Sequence, residues 1–321
     1  MVYQFNPLLK QTLWGGDRIA NFKRMDTNAA TPGTNIGESW EISGVKGSET
    51  VVAAGPDRGK TLNQLVSEQR EWLVGQENYQ RYGNEFPLLV KFIDAHQDLS
   101  IQVHPDDATA RRHGRERGKT EMWYVLDSQP GARLYNGLRR SINATDYQRM
   151  VEDDTITDAL ACYEVHQGDV FFIPAGRIHA IGAGCFVTEI QQTCDVTYRI
   201  YDYKRKDKDG NYRELHTQLA AESIDYTLHD DYRTHYEPRK NSHVSLVACP
   251  YFTTALYDLD EPMTIDYADL DSFVILVAVG GEGTLEADGE QVPFRCGDTM
   301  LLPATTQQVL LTGDVKFLET Y

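Results

Sequence analysis

The chain has 321 residues, enough for one large core or two ordinary ones, and its 41% hydrophobic and 25% charged content is that of a soluble globular protein. Its 31 basic and 48 acidic residues leave a net charge of −17, which repels phosphate backbones and anionic lipid and argues against nucleic acid or a membrane surface as partner. Cys162, Cys185, Cys194, Cys249 and Cys296 are odd in number and never spaced Cys-x-x-Cys, which argues against a disulfide framework and a thiolate zinc site and for a reducing compartment. No charged leader precedes an apolar run at the start, and no stretch approaches the roughly 20 apolar residues of a membrane span, so the cytoplasm is the expected location.

Taken in order, residues 1 to about 55 alternate short apolar runs with Gly and Pro, which predicts strands. From Thr61 the pattern changes: Leu62, Leu65, Val66, Trp72 and Leu73 recur at helical steps, with Thr61 as cap, so a helical insertion is predicted over about 56–83. Phe86 to Ile93 reads as a buried strand in which Lys91 is out of place, because a buried ammonium is costly without a partner. The next strand, Leu99 to Val103, stops at Pro105, and alternation puts Ser100, Gln102 and His104 on one face. Asp106 and Asp107 can cap a short helix through Arg112, leaving Arg111, Arg112, Arg115, Arg117 and Lys119 at the mouth of a cavity.

Lys119 and Glu121 share a face of the following strand. A second helical insertion is predicted over about 141–162, after which Pro174-Ala175-Gly176 delivers His179 just past a turn and Cys185 to Gln192 forms a strand. In Asp195 to Tyr203, alternation places Asp195 and Arg199 on one side. As a surface ion pair that would contribute about 0 to 1 kcal/mol. The run Lys204 to Lys208 reads as a solvated loop, and about 208–239 as a polar connector with a short helix near Gln218 to Ser223; His216, His229 and His235 lack ligand spacing. Near the end, Gly297 to Gln308 repeats Gly168 to His179 without gaps, with Gln308 where His179 stands, which predicts a second unit without metal ligands.

Gln102, His104, Glu121 and His179 therefore supply an amide oxygen, two imidazoles and a carboxylate, a donor set that suits a catalytic zinc with exchangeable positions. Gln-x-His-Pro, Lys-x-Glu and Pro-x-Gly-x-x-His together resemble the split metal motifs of cupins, with glutamine where many cupins carry their first histidine. More narrowly, Leu99-Ser100-Ile101-Gln102-Val103-His104-Pro105, Gly118-Lys119-Thr120-Glu121-Met122-Trp123-Tyr124 and Asp195-Val196-Thr197-Tyr198-Arg199-Ile200-Tyr201-Asp202-Tyr203 are similar to the short bacterial form of the type I phosphomannose isomerase family. Trp14-Gly15-Gly16 and Ile36-Gly37-Glu38-Ser39-Trp40-Glu41-Ile42-Ser43 fit the same family.

That resemblance implies an all-β dominated fold of two cupin (jelly-roll) barrels, with residues 1–240 as the metal-binding domain and 241–321 as a cupin-like domain without ligands. It implies one zinc ion per chain and an aldose-ketose isomerase acting on mannose 6-phosphate. Lys91 and Ser100 are implied to hold the phosphate, Lys119 to orient substrate, and Arg199 to face the metal. An arginine stays protonated, so the base that moves the proton between C1 and C2 is left to Glu189 or Asp195. Two other readings stay open: a cupin oxygenase holding iron, and a noncatalytic sugar-binding or regulatory bicupin. A monomer and a homodimer are equally compatible with the sequence.

Overall fold

In the first two thirds of the chain a seven-stranded and a five-stranded sheet share one interior, as described by a computed structural model covering residues 1–25, 35–207 and 209–321. The larger sheet runs, in pairing order, Arg233–Thr234, Val170–Ile173, Glu121–Ser128, Cys185–Gln192, Leu88–Asp94, Ile36–Ser43 and Leu8–Gly16. The smaller runs Tyr198–Tyr201, Ile101–Val103, His179–Ile181, Arg133–Leu138 and Leu160–Glu164. The fold is strand-dominated, as expected. Among the described residues neither order returns to its first strand, so the pairing draws open facing sheets where closed barrels were expected.

The Leu88–Asp94 and Cys185–Gln192 strands are buried along their whole length, because both faces of the larger sheet are covered. On the outer face Leu88, Val90, Phe92 and Ile190 pack with Leu62, Leu65 and Val66 of the helical insertion and with Phe86 just after it. On the inner face Ile93, Trp123, Val125 and Val187 pack with Trp14 and Leu134. This inner face meets the smaller sheet, and Lys91, Glu121 and Glu189 on it are buried.

The predicted insertion is three short helices, Leu62–Gln69, Glu71–Val74 and Gln76–Tyr82. Thr61 caps the first in a capping box with Gln64. Trp72 departs from expectation: it is 69% exposed while Leu62, Leu65, Val66 and Leu73 are buried. Arg70 takes a left-handed φ of 52°, which breaks the helix and resets its phase, so the stripe does not run through to Trp72. Asp106 caps the Asp107–Arg112 helix by accepting from Thr109 N–H. Asn143 caps Ala144–Glu152, but Leu160–Glu164 is already strand, so the second insertion ends before Leu160 and not at Cys162.

Two glycine motifs are explained by close approach. A Cβ on Gly16 would fall 2.3 Å from Oδ2 of Asp94, which instead accepts the Arg18 backbone N–H at 2.8 Å. A Cβ on Gly37 would fall 2.1 Å from Thr12 Oγ1 and 2.7 Å from the Trp14 ring. The Trp14-Gly15-Gly16 and Ile36-Gly37 segments can nest only without those carbons.

Residues 244–320 form another seven-stranded antiparallel sheet, built around the long strands Val274–Ala287 and Gln308–Thr320. The internal echo holds to the end of the Thr299–Leu302 strand, after which Gln308 is exposed. This unit packs on the insertion and on the segment after it: Ala304 N–H donates to the Leu73 carbonyl at 2.9 Å, and the Phe86 and Phe273 rings are 4.5 Å apart. Phe252, Ile275 and Val277 belong to the same apolar cluster as Leu65 and Phe92. Among the described residues no helix is long and apolar enough to cross a membrane, and all five cysteines are unpaired.

Candidate active site and metal centre

The Ile101–Val103 strand is the hinge of the site because it pairs on both sides. Gln102 is opposite His179 on one neighbour and opposite Arg199 on the other, and His179 is opposite Asn136 one strand further on. Directly paired residues project from the same face of an antiparallel sheet, so this row looks toward the larger sheet. Ile101 and Val103 point the other way into a separate apolar cluster. His104 follows at the strand's end, where Pro105 stops the pairing.

From the larger sheet, the Glu121–Ser128 strand contributes Glu121, fully buried. Its Oε1 is 3.3 Å from Nε2 of His179 and its Oε2 is 3.6 Å from Nε2 of His104. The three ligand atoms lie within 4.8 Å of one another. The tautomers are set by backbone: His104 Nδ1 lies 2.7 Å from the Val196 carbonyl oxygen, and His179 Nδ1 2.9 Å from that of Arg177. A carbonyl only accepts, so each Nδ1 carries the proton and each Nε2 lone pair faces inward. Burial pushes both imidazoles down, His179 to about 4 and His104 well below its ordinary range.

His104 Nε2 and Glu121 Oε1 are buried without a hydrogen-bond partner. Two neutral imidazole lone pairs and a carboxylate aimed at one point repel each other, and a divalent cation satisfies all three. The donor set fits a metal. Gln102 Nε2 lies 3.3 Å from His179 Nε2, so its amide reaches the same point and can present its oxygen there.

Beside this cluster lies a buried charge network. Lys119 Nζ is 2.7 Å from Glu121 Oε2 and 3.5 Å from Glu189 Oε1, and Lys91 Nζ is 3.2 Å from the same Glu189 oxygen. The Trp123 indole N–H donates to Glu189 Oε2 at 2.8 Å. Burial alone would raise the Glu189 carboxyl, but Lys119 and Lys91 outweigh it and hold it down to about 2. Glu121 is pushed up to about 7 by burial and by the Glu189 charge, an effect that a bound cation would reverse. Burial opposes the charge of Lys119, yet Glu121 and Glu189 prevail and keep its pKa above the usual lysine value.

The place of Lys91 in an apolar strand is thereby accounted for. It stands opposite Glu189 and Trp40 across the sheet, with its ammonium 4.9 Å from the Trp40 ring and 3.7 Å from Glu38. Ser100 is buried at the start of the hinge strand. Glu38, Trp40, Trp123 and Asn136 were not singled out from the sequence. The alternation of Trp123 with Glu121 and of Glu38 with Trp40 was a usable signal for three of them. Asn136, fully buried beside His179 with Oδ1 unpartnered, left none.

Asp195 is where the sequence reading fails. The strand is only Tyr198–Tyr201 and carries a bulge, so Asp195 sits in the preceding loop, exposed, and no ion pair joins it to Arg199 among the described residues. It lines a surface cavity of about 310 Å³ with Lys46, Glu85, Arg115 and Arg117, none of the metal-set residues being in its wall. Arg199 is half-buried beside Gln102, its guanidinium donating to the Glu214 carbonyl at 2.9 Å. The basic cluster also divides: Lys119 turns inward, Arg117 pairs with Glu85 at 2.6 Å, and Arg111, Arg112 and Arg115 are exposed. Lys204 pairs with Asp154 at 2.5 Å, and Lys208 lies outside the described residues.

Comparison with known proteins covers the whole chain. Residues 2–153 match the catalytic domain of type I phosphomannose isomerase, and residues 242–321 match the cupin domain of mannose-6-phosphate isomerase. A mannose-6-phosphate isomerase of Bacillus subtilis is 35% identical over 96% of this chain and 95% of its own length. One from Streptococcus mutans is 31% identical over 98% and 96%. The crystal structure of a Bacillus subtilis mannose 6-phosphate isomerase superposes with a TM-score of 0.89 at 31% identity, over 100% of this chain and 99% of that one. At 14% identity, a phosphomannose isomerase from Salmonella typhimurium shares the fold with a TM-score of 0.80 over 100% and 99% of the two chains.

Proposed function

Because the chain belongs to the type I phosphomannose isomerase family, we infer that it interconverts mannose 6-phosphate and fructose 6-phosphate with the buried groups of the two facing sheets. The observation that carries this assignment is 35% identity over 96% of the chain to a mannose-6-phosphate isomerase, in a chain whose His104, Glu121 and His179 converge on one point. Gln102, His104, Glu121 and His179 would hold one zinc ion. When bound there, zinc supplies Lewis acidity beside the sugar's C1 and C2 oxygens, lowering the cost of the enediol-like species.

The residues of the chain divide the remaining work. Isomerisation moves one proton from C2 to C1 and another from the C2 oxygen to the C1 oxygen. Glu189 takes the carbon proton and returns it to the adjacent carbon. In favour of Glu189 over Asp195 is its burial among Lys91, Lys119 and Trp123, where water cannot compete for the proton. Its low proton affinity is that of the ion-paired carboxylate. Lys91 and Ser100 orient the substrate through its phosphate, and Lys119 through the sugar oxygens. As Lys91 and Lys119 turn toward that anionic ligand, Glu189 loses its counter-charges and becomes a better base. Arg199, fixed in charge, stabilises negative charge from the side of the hinge strand.

The two sheet systems are read as two jelly-roll units divided near residue 240, the second supplying the wall behind the helical insertion. The test of the whole assignment is coupled detection of fructose 6-phosphate formed from mannose 6-phosphate, with and without a chelator. Turnover that persists after complete metal removal would remove the metal from the reaction.

A further inference from the structure

We propose that Asp202 is a positioning residue for Arg199, acting through the Arg213–His216 segment that it ties to the hinge strand's neighbour. The proposal rests on the reading of Arg199 as a residue that acts on the substrate.

Arg199 sits in a strand paired with the hinge strand, and its remaining hydrogen bonds go to that segment. Its guanidinium donates to the Glu214 carbonyl at 2.9 Å, its own carbonyl accepts from His216 N–H at 2.7 Å, and its backbone N–H lies 3.3 Å from His216 Nδ1. Its Nε is buried with no partner. With the backbone fixed by the sheet, the direction of the guanidinium is set by its bond to the Glu214 carbonyl. Residues 213–216 form no helix or strand, so they hold a place only through what anchors them.

At its far end the segment is fixed by His216, the N-cap residue of the Thr217–Ser223 helix, and at its near end by one carboxylate. Asp202 is 5% exposed, and its Oδ2 accepts from Arg213 Nε at 2.7 Å while its Oδ1 is shared by Arg213 and Arg205, the latter at 2.5 Å. Arg205 also donates to the carbonyl of Asp98, just before the hinge strand. The fork of Arg213 thus grips both oxygens in the geometry that fixes a guanidinium most firmly. Asp202 has a second effect. Arg199, Arg205 and Arg213 are neighbours, and the Asp202 charge offsets the repulsion that the other two exert on Arg199. Without that carboxylate, the segment loses its tie and Arg199 loses a counter-charge.

The test uses the full-length, zinc-loaded enzyme in a double-mutant cycle. Asp202→Asn should lower kcat/KM about tenfold in the parent and by less than about twofold in an Arg199→Ala background, with zinc content unchanged. Arg213→Lys, which keeps the charge and loses the fork, should show a smaller loss with the same dependence on Arg199. It decides the matter if Asp202→Asn does not fold. Losses that multiply in the Arg199→Ala background, or wild-type kinetics for Asp202→Asn, would overturn the positioning role. Unaltered kinetics for Arg199→Ala alone would instead overturn the role given to Arg199, and Asp202 would fall with it for that separate and recognisable reason.

Discussion

Gln102 and His179 face each other across paired strands, with the Gln102 amide nitrogen 3.3 Å from His179 Nε2. Since His179 Nδ1 carries the proton, Nε2 accepts from the amide, and cation binding would require Gln102 to turn its oxygen over. Gln102 is thus a weak donor whose removal leaves three strong ones. Gln102→Ala should weaken zinc about tenfold, an effect of the size seen for supporting groups around a metal. His104→Ala and His179→Ala should strip the metal and the activity. Metal analysis after dialysis against a graded chelator separates the two cases. Equal loss in all three variants would make Gln102 a full ligand.

Glu189 and Asp195 make opposite predictions. Glu189→Gln removes the only carboxylate shared by Lys91 and Lys119 among the described residues, while leaving the imidazoles in place. Turnover should fall by about 10²- to 10⁴-fold, the range for a lost general base, with zinc retained. Asp195→Asn, in an exposed loop, should change kcat less than about twofold. A large loss at Asp195 with normal turnover at Glu189 would reverse the assignment.

The contrast between those two carboxylates shows what sequence could and could not reveal. The convergence of His104, Glu121 and His179 was legible because each has a distinctive chemistry and sits at a strand end or just past a turn, near proline or glycine. Lys91 was legible through its conflict with its surroundings. Asp195 was misplaced because alternation was carried past the end of the strand. Nothing in Cys194-Asp195-Val196-Thr197 marks a loop, since the Val196 carbonyl is spent on His104, a contact 92 residues away in sequence. Trp72 failed in a similar way, at a left-handed Arg70 that lacks the glycine such a turn ordinarily announces. Sheet closure depends wholly on pairings between distant segments, and local patterns do not encode it.

Glu319 offers a test of electrostatics away from the site. It is 2% exposed and accepts from the Tyr267 hydroxyl at 2.6 Å, and burial raises its carboxyl above the ordinary value despite that bond. A folded-state pKa above the unfolded one means the folded chain binds the proton more tightly. Stability is then greatest below the unfolded value and falls as pH rises from it through the folded value. Glu319→Gln, which keeps an acceptor for Tyr267, should flatten this fall and make the protein at least as stable as the parent at neutral pH. Thermal midpoints across the acid-to-neutral range give the answer, and a parent whose stability climbs over the same interval relative to Glu319→Gln would refute it.

Gly118 lies where the segment carrying Lys119 meets the one that follows His104. The Lys119 N–H donates to the Pro105 carbonyl at 3.0 Å, and Gly118 N–H donates to Asp107 Oδ1 at 2.8 Å, so the segment carrying Lys119 is pressed on the one that follows His104. A Cβ at Gly118 would fall 2.5 Å from the Pro105 oxygen and 2.6 Å from Asp107 N, both backbone atoms that cannot rotate aside. Gly118→Ala should therefore cost about 1–3 kcal/mol, as overpacking does, and part Lys119 from His104. The expected signature is a lower thermal midpoint together with reduced kcat. Gly131→Ala is the control: its φ is 78° and no atom lies within 4 Å of the added carbon, so it strains the backbone far from the site. If Gly131→Ala also lowers kcat, or Gly118→Ala lowers stability alone, then the spacing of Lys119 from His104 is not what Gly118 maintains.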